Sequence, residues 1–311
     1  MPRDPVEMNT SELLTLLVCP RCRLGLARAD GDSDSVCCRS GHRYPLVDGV
    51  PLLFTQESLS RIEDSKGQAE NRRMRSQLAR FPWLESLARW MRPPHPFRDP
   101  AGARQRARMA GLLAERFPCP ALLDIGGGLE EKNLSGLPEV LRARSICLDI
   151  QPSPGVSVAA DGKELPFKDA SVEGVLLQGV LEHVPEPYAL LREAFRVLRP
   201  GGIAYVEVPF LQHFHYDPDD FYRFTLHGLE HLTRDFSKLD GGVLSGPGSA
   251  LCDLLTETPG TAFDSSLLYW GSKWIAGWAT LPLKYLDILY ARSKRSHMLS
   301  GALFFLGAKP W

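Results

Sequence analysis

Apolar runs of strand length alternate with amphipathic helical patterns from residue 121 to the end of the chain. The predicted strands are ALLDIGGG, ARSICLDI, VEGVLLQGV, GGIAYVEVPF and SGALFFLGAKP. Between two of them, YALLREAFRVL has the apolar spacing of a helix, and Arg-Pro-Gly-Gly follows it as a stop signal. This alternation predicts an α/β fold, with a parallel sheet covered by helices on both faces. Ligands of such sheets bind at the carboxyl ends of the strands.

The composition is that of an ordinary globular protein. Of its 311 residues, 44% are hydrophobic and 23% are charged, and this length favours two domains. A formal net charge of −1 gives no whole-molecule field that would attract nucleic acid or anionic lipid. The polar start MPRDPVEMNT and the short run LLTLLV predict no signal peptide, and no apolar stretch is long enough for a transmembrane segment. We therefore expect a cytoplasmic protein, and the sequence leaves its oligomeric state open.

Four of the seven cysteines lie in the first forty residues, among short β-like runs. Cys19-Pro-Arg-Cys22 has the spacing of a zinc knuckle, and Cys38-Arg-Ser-Gly-His42 can supply a second pair for a structural Zn²⁺. Cys37 points to the opposite side of a local strand from Cys38, so only one of them should be a ligand, and we favour Cys38. Because so small a segment has little core, a metal would stabilise it. The alternative is a flexible arm with unmetallated thiols.

The cysteine-rich segment resembles the Trm112-like zinc ribbons in its CPRC and YPLVDGVP motifs. Its second knuckle, CxxxH, is closer to the ribbon fused to bacterial ribosomal RNA guanine methyltransferases. The resemblance implies a zinc ribbon over residues 1–56 that scaffolds a methyltransferase. Residues 57–118 then form an arginine-rich helical linker or cap, interpreted as a solvated face, with a basic surface for an acidic or nucleic-acid acceptor as the alternative.

Acidic residues follow the predicted strands at regular points. Asp124 stands just before a run of three glycines, where the backbone can approach a ligand closely. A dinucleotide fingerprint would need a third glycine where Glu131 stands, so NAD is disfavoured, and an acid before the glycines suits a cationic cofactor end. Asp149 ends the second strand and can accept hydrogen bonds from ribose hydroxyls, and Asp161 can accept from an adenine amine.

In this order and spacing, the motifs resemble the class I S-adenosylmethionine-dependent methyltransferases of the type 11 group. The segments that carry the resemblance are LLDIGGG, CLDI, DGKELPF, QGVLEHV and LREAFRVLRPGG. It implies a Rossmann-like domain over residues 119–311, with a mostly parallel seven-stranded sheet that binds S-adenosyl-L-methionine and releases S-adenosyl-L-homocysteine. The loop GGGLEE, with Glu130 and Glu131, is more acidic than the family pattern. The cofactor-binding residues implied are Asp124, Gly126 and Gly128 for the methionine end, Asp149 for ribose, Asp161 and Gly162 for adenine, and Gln178 for the methyl-donor pocket.

The stretch HFHYDPDDFYRFT concentrates titratable side chains directly after a predicted strand, and it resembles the H-x-x-P-x-D-x-x-R-x-T loop of a type 11 subgroup. His215 is the candidate general base, because an acceptor hydroxyl must lose its proton. Asp220 would orient His215, and Arg223 would hold an acidic acceptor group. Tyr216 and Tyr222 would line the pocket.

Simpler structural roles compete with these assignments. Asp220 and Arg223 can be an ion pair that only staples the loop, with Thr225 as the N-cap of the next helix. His183 in VLEHV is a further candidate base, with a structural role as its alternative. Three tryptophans recur every fourth residue from 270 to 278, for which we expect core packing or a lid over the acceptor, and membrane-surface binding is the alternative.

The sequence therefore predicts an enzyme that transfers a methyl group to an O or N nucleophile of a small-molecule, glycan or natural-product acceptor. Methylation of an RNA base is the alternative, suggested by the CxxxH knuckle and the arginine-rich linker. A third alternative is a non-catalytic, zinc-dependent interaction protein built on a methyltransferase shell.

Overall fold

The computed structural model describes residues 8–29, 31–63, 100–128, 134–215 and 219–311. Within them, two β-sheets and the helices around them form one continuous structure. The features that lie outside the described residues are Glu130, Glu131, Tyr216 and most of the predicted linker, 64–99.

The N-terminal segment forms a small antiparallel sheet after one short helix. Helix α1 spans Thr10–Leu16, and the Asn9 side chain caps it by accepting a hydrogen bond from the Glu12 backbone N–H at 2.9 Å. The four strands are adjacent in chain order. Their bounds are Leu26–Ala29 (β1), Asp32–Cys38 (β2), Arg43–Val47 (β3) and Val50–Pro51 (β4).

The larger sheet has seven strands in the order β10-β11-β9-β8-β5-β6-β7. Only β11 runs antiparallel to its neighbours, which confirms the prediction of a mostly parallel, Rossmann-like α/β sheet. The chain leaves β5 toward one edge and returns through β8 on the other side, so the topological switch point lies between β5 and β8. The strands are Leu122–Ile125 (β5), Ser145–Asp149 (β6), Val158–Ala159 (β7), Val172–Gln178 (β8), Leu198–Pro209 (β9), Ser237–Ser245 (β10) and Ala302–Ala308 (β11).

Helices connect these strands and cover the sheet. The predicted helix YALLREAFRVL is confirmed as α5, and Pro187 begins it at a position where proline is favoured. The strand after it begins at Leu198, before the Arg-Pro-Gly-Gly stop, which is earlier than the sequence predicts. The helices are Gln56–Glu63 (α2), Pro100–Arg116 (α3), Glu139–Arg142 (α4), Pro187–Val197 (α5), Leu226–Leu232 (α6), Pro247–Glu257 (α7), Ser266–Thr280 (α8) and Asp287–Tyr290 (α9). Short 3₁₀ helices lie at Gly162–Glu164, Leu181–His183, Gly260–Ala262, Leu281–Leu286 and Ser296–Met298.

The N-terminal segment shares its core with the larger sheet. Leu17 and Leu53 are fully buried in the same apolar cluster as Phe167. The Leu53 N–H donates to the Ala159 carbonyl at 2.8 Å, and Leu52 pairs in parallel with Ala159, so the segment continues the sheet beyond β7. A second core lies on the other face of the sheet, where α3 contributes the buried Met109.

Candidate functional site

Asp124 lies in β5, an inner strand of the larger sheet, just before the glycine turn. Its residue surface is 4% exposed, and Oδ1 has no hydrogen-bond partner among the described residues. A Cβ atom added to Gly127 would lie 2.5 Å from Asp124 Oδ2, so the carboxyl group fits directly beneath a turn that must be glycine. Burial raises the pKa of Asp124 to about 7, even though Arg106 acts to lower it. Among the described residues, no cationic side chain is hydrogen-bonded to this buried carboxyl group.

The glycine turn is tied to the neighbouring strand. Gly126 and Gly128 have positive φ angles of 72° and 54°, a left-handed conformation that favours glycine. The Gly126 N–H donates to the Leu148 carbonyl at 2.7 Å, and the Gly128 N–H donates to Asp149 Oδ2 at 3.1 Å. Asp149 therefore lies next to the same glycine turn that covers Asp124.

Asp161 follows β7 and caps a 3₁₀ turn, where its Oδ1 accepts a hydrogen bond from the Lys163 N–H at 2.9 Å. A Cβ added to the next residue, Gly162, would lie 2.5 Å from Leu190 Cδ1, so helix α5 packs closely against this turn. Because β5, β6 and β7 are parallel neighbours, Asp124, Asp149 and Asp161 all belong to one edge of the sheet, as a common ligand would require.

The segment that follows Asp161 is fixed from two sides by arginines. Arg23, from the N-terminal segment, donates to the carbonyls of Leu165 and Phe167 at 2.9 and 2.8 Å. Arg196, from α5, donates to the same two carbonyls at 2.9 and 2.8 Å. The position of this loop therefore depends on both the N-terminal segment and the larger sheet.

Arg106 is a site residue that the sequence did not reveal. It lies on α3, inside the predicted linker, and it is buried. Its Nη1 donates to Gln178 Oε1 at 2.6 Å and to Glu207 Oε1 at 3.1 Å. Gln178 ends β8, next to Glu207 of β9, so the predicted methyl-donor residue is brought to the switch point and held by an arginine. No motif signals this role, because Arg106 is one of several arginines in the stretch RQRAR.

The loop HFHYDPDDFYRFT, here called the acceptor loop, follows β9 and places His215 near the same edge of the sheet. Its backbone N–H donates to Asp220 Oδ2 at 2.8 Å, whereas its ring Nδ1 lies 3.8 Å from that oxygen and 3.3 Å from the His213 carbonyl. Asp220 therefore positions the backbone of His215, and the ring orientation depends on His213. Burial lowers the pKa of His215, and His183 and Arg223 lower it further. The imidazole is consequently neutral near pH 7 and able to accept a proton.

The Arg223 guanidinium is occupied within the loop. It forms a two-point ion pair with Asp220, whose side chain is 1% exposed, and it also donates to the carbonyls of Gln212, His213 and Tyr222. Although burial acts to raise it, these hydrogen bonds hold the pKa of Asp220 below its usual range. This geometry favours the stapling role over contact with an acceptor, since all five guanidinium hydrogens are used.

Two histidines and a buried glutamate meet beside this loop. One donor atom from each of Glu182, His183 and His215 lies within 4.8 Å of the other two, and the two imidazole rings are nearly perpendicular with centroids 5.0 Å apart. The His183 ring donates from Nδ1 to the Asp219 carbonyl, which fixes its orientation. Burial raises the pKa of Glu182 to about 8, and its Oε2 has no partner among the described residues. Near neutral pH a protonated carboxyl group thus accompanies the two candidate bases; from the sequence, Glu182 of the VLEHV motif was expected to have a structural role.

The four predicted metal ligands come together in the N-terminal segment. Cys19 Sγ and Cys38 Sγ lie 3.4 and 3.5 Å from His42 Nδ1, and Cys22 Sγ lies 3.5 Å from Cys38 Sγ. A tetrahedral Zn²⁺ site needs donor separations of about 3.5 Å between sulfur and nitrogen and about 3.8 Å between two sulfurs, given Zn–S bonds of about 2.3 Å and Zn–N bonds of about 2.0 Å. The donor set therefore fits this ion.

Local backbone geometry explains why each ligand pair folds into a knuckle. Arg23 and Gly41 adopt positive φ angles of 59° and 83°, and the turns close through Arg23 N–H to the Cys19 carbonyl and Gly41 N–H to the Cys38 carbonyl. Cys37 lies on β2, where it pairs with Ala27 of β1 and Arg43 of β3. It is not one of the four clustered donor residues.

Comparison with known proteins gives a partial match to one family. Residues 123–206 match the family model Methyltransf_11, described as a methyltransferase domain. This segment begins in β5 and ends in β9, so it contains the glycine turn and the carboxylates at the sheet edge. The match supports the prediction of a class I S-adenosylmethionine-dependent methyltransferase domain in this part of the chain.

Curated relatives match over a short stretch. An uncharacterised methyltransferase of Mycobacterium marinum is 53% identical over 51 residues, which is 16% of this chain and 20% of the relative. An uncharacterised methyltransferase of Mycobacterium tuberculosis is 50% identical over 50 residues, with the same two coverages. The chain thus spans about one fifth of the length of these relatives.

Solved structures align more widely but at low identity. A Burkholderia thailandensis 1,6-didemethyltoxoflavin-N1-methyltransferase aligns with 91% of this chain and 99% of its own, at 15% identity and a TM-score of 0.40. A methyltransferase of Archaeoglobus fulgidus aligns with 67% of this chain and 94% of its own, at 18% identity and a TM-score of 0.39. The strand order, rather than these superpositions, shows the fold.

Proposed function

We propose that this protein transfers a methyl group from S-adenosyl-L-methionine to an O or N nucleophile of a small-molecule, glycan or natural-product acceptor. The observation that carries this proposal is the buried Asp124 carboxyl group beneath the glycine turn at the switch point, whose Oδ1 has no hydrogen-bond partner among the described residues. An ammonium group, such as that of a methionine moiety, would satisfy the buried oxygen and pair with its charge.

We assign each of the other residues at this edge of the sheet to a different part of the cofactor. Asp149, fixed by the Gly128 N–H, would accept from the ribose hydroxyls, and Asp161 with Gly162 would face the adenine ring. Gln178, held by Arg106, would line the pocket near the reacting carbon. When bound, S-adenosyl-L-methionine supplies an electrophilic methyl group, and the chain contributes mainly position and orientation.

We assign His215 as the base that removes the acceptor proton, because burial keeps its imidazole neutral. His183 lies against it and is the second candidate. Asp220 and Arg223 act as positioning residues, which hold the His215 backbone and not the acceptor.

A nitrogen-detected NMR titration tests the protonation state of the His215 imidazole. We expect its pKa to lie below the ordinary value for histidine, since burial disfavours the imidazolium. The His215→Gln variant identifies the resonance by its disappearance, and a pKa at or above the ordinary value would remove this ring as a base that is ready at neutral pH.

Isothermal titration of the zinc-loaded protein with S-adenosyl-L-methionine tests the proposal directly, and absence of binding would eliminate it. The titration should also depend on pH. Protonation of Asp124 below its pKa of about 7 removes the negative charge that the cofactor ammonium needs, so affinity falls as pH falls. We expect binding to be roughly tenfold weaker at pH 6 than at pH 7.5. Equal affinity at the two pH values would show that Asp124 does not pair with the cofactor.

We also propose that residues 1–56 form a zinc ribbon of the Trm112-like kind, with Cys19, Cys22, Cys38 and His42 as ligands and a scaffolding role. The fit of the four donor atoms to a tetrahedron supports this proposal, as do the hydrogen bonds from Arg23 to the loop after Asp161. In this arrangement, residues 57–118 connect the ribbon to the methyltransferase domain, 119–311.

A further inference from the structure

Helix α8 turns its large apolar side chains toward solvent. Leu267 is 82% exposed and Ile275 is 65% exposed. The opposite side of the helix carries small and polar residues and faces α7, where Lys273 Nζ lies 2.6 Å from Glu257 Oε2. A surface helix of a globular protein normally has the reverse arrangement. The expected core packing of Trp270, Trp274 and Trp278 is therefore corrected, because these side chains are 39% to 46% exposed.

The exposed face of α8 belongs to a larger apolar surface. Leu289 on α9 is 74% exposed, and Ile288 beside it is equally open. Most of the exposed large apolar side chains in the described part of the chain lie between residues 251 and 299. We call this region the 251–299 apolar surface. Scattered exposed apolar residues are normal, but a concentration of this kind marks an interaction site.

Basic residues border the 251–299 apolar surface. Arg292, Lys294 and Arg295 are exposed and form no ion pair with the described residues, and no acidic residue occurs between 288 and 311. Asp287, whose carboxylate accepts hydrogen bonds from the N–H of Gly248 and the hydroxyl of Ser249, each at 2.6 Å, offsets only one of these three charges. The segment 287–299 is therefore cationic although the whole chain carries a net charge of −1.

We propose that the 251–299 apolar surface docks this protein on an anionic lipid bilayer. Indole, phenol and aliphatic groups next to lysine and arginine are the composition of helices that lie in the plane of a membrane interface. The apolar groups enter the acyl region, and the cations remain at the level of the lipid phosphates. Peripheral docking agrees with the absence, among the described residues, of a helix long and apolar enough to cross a bilayer.

The proposed docking surface is connected to the acceptor loop. Glu257, which holds Lys273 of α8, lies 3.7 Å from the His213 ring, and His213 Nδ1 lies 2.9 Å from Asp253 on α7. This contact lies on the side of α8 that faces α7, so α7 and the loop that carries His215 lie on the protein side of the docking helix.

Co-sedimentation of the full chain with vesicles tests the docking itself. Vesicles of phosphatidylcholine with phosphatidylserine should retain the protein, and pure phosphatidylcholine or high salt should weaken the retention. In a variant that combines Ile275→Glu and Leu289→Glu, the partition coefficient should fall roughly tenfold or more. The control is Val140→Glu, which places one such charge on an exposed helix elsewhere and should change partitioning less than twofold.

Two further results keep the proposal open to refutation even if the double variant fails to fold. Brominated lipids should quench the tryptophan fluorescence of the unaltered protein, since Trp270 lies on the docking surface. Absence of both retention and quenching would overturn the proposal. A dimer in solution that the double variant dissociates, without vesicle binding by the unaltered chain, would assign the surface to a second copy. Vesicle binding without binding of S-adenosyl-L-methionine would support the docking surface and count only against the proposed methyl transfer.

Discussion

Replacing Asp124 with asparagine is expected to weaken S-adenosyl-L-methionine binding by a factor of one hundred or more. The side chain is buried, so the loss of its charge would leave a cofactor ammonium without its counter-ion in a region that water does not reach. Breaking a buried ion pair from one side costs about 3–5 kcal/mol, which corresponds to more than a hundredfold change in affinity. Isothermal titration at pH 7.5 measures the effect.

Asparagine has nearly the same shape as aspartate, so the Asp124→Asn variant should fold normally. Circular dichroism and the thermal midpoint check this. Asp264→Asn is the matched control, because it makes the same exchange at an exposed carboxylate and should leave affinity unchanged. If Asp124→Asn binds as tightly as the unaltered protein, Asp124 has no role in holding the cofactor.

Cys38→Ser should abolish stoichiometric zinc binding and lower the thermal midpoint by roughly 10 °C or more. The effect should be large because Cys19 and Cys38 are buried in the same core as Phe167 of the larger sheet. A lost ligand would therefore disturb the packing beneath the cofactor loop as well as the small sheet. Elemental analysis of the purified protein gives the metal content, and calorimetry gives the midpoint.

Cys37→Ser provides a nearly ideal control for this experiment. It removes the adjacent thiol, which lies outside the four-donor cluster, so metal content should remain at one equivalent. Loss of metal from Cys37→Ser, or its retention in Cys38→Ser, would contradict the assignment of Cys38. Absence of bound zinc from the unaltered protein would favour the alternative of unmetallated thiols.

The sequence predicted the parts of the fold that depend on local patterns. Apolar runs and glycine turns located the strands, and the motif order placed Asp124, Asp149 and Asp161 after strands that prove to be parallel neighbours. It could not reveal Arg106, or that Glu182 is buried beside His183 and His215. Their importance comes from contacts with residues far along the chain, such as Gln178, and from burial that no short pattern encodes.

Two regions show why a pattern alone leaves alternatives open. The spacing of Asp220 and Arg223 allows either a staple or an acceptor clamp, and only the hydrogen-bond partners of the guanidinium favour the first. Periodicity on α8 predicts a stripe of tryptophans but not the direction in which it faces. That direction is set by polar anchors such as Lys273, which pairs with Glu257 on the neighbouring helix.

The pairing of Leu52 with Ala159 has a consequence for a chain truncated at its N-terminus. It covers backbone groups along the outermost strand of the larger sheet, Val158–Ala159, which otherwise has no neighbour on that side among the described residues. A shortened chain that began after residue 56 would leave those groups without hydrogen-bond partners. Edge strands with unpaired backbone groups tend to pair with strands of other molecules. Residues 57–311 are thus expected to be prone to self-association when they are separated from the first 56 residues, whatever becomes of the metal.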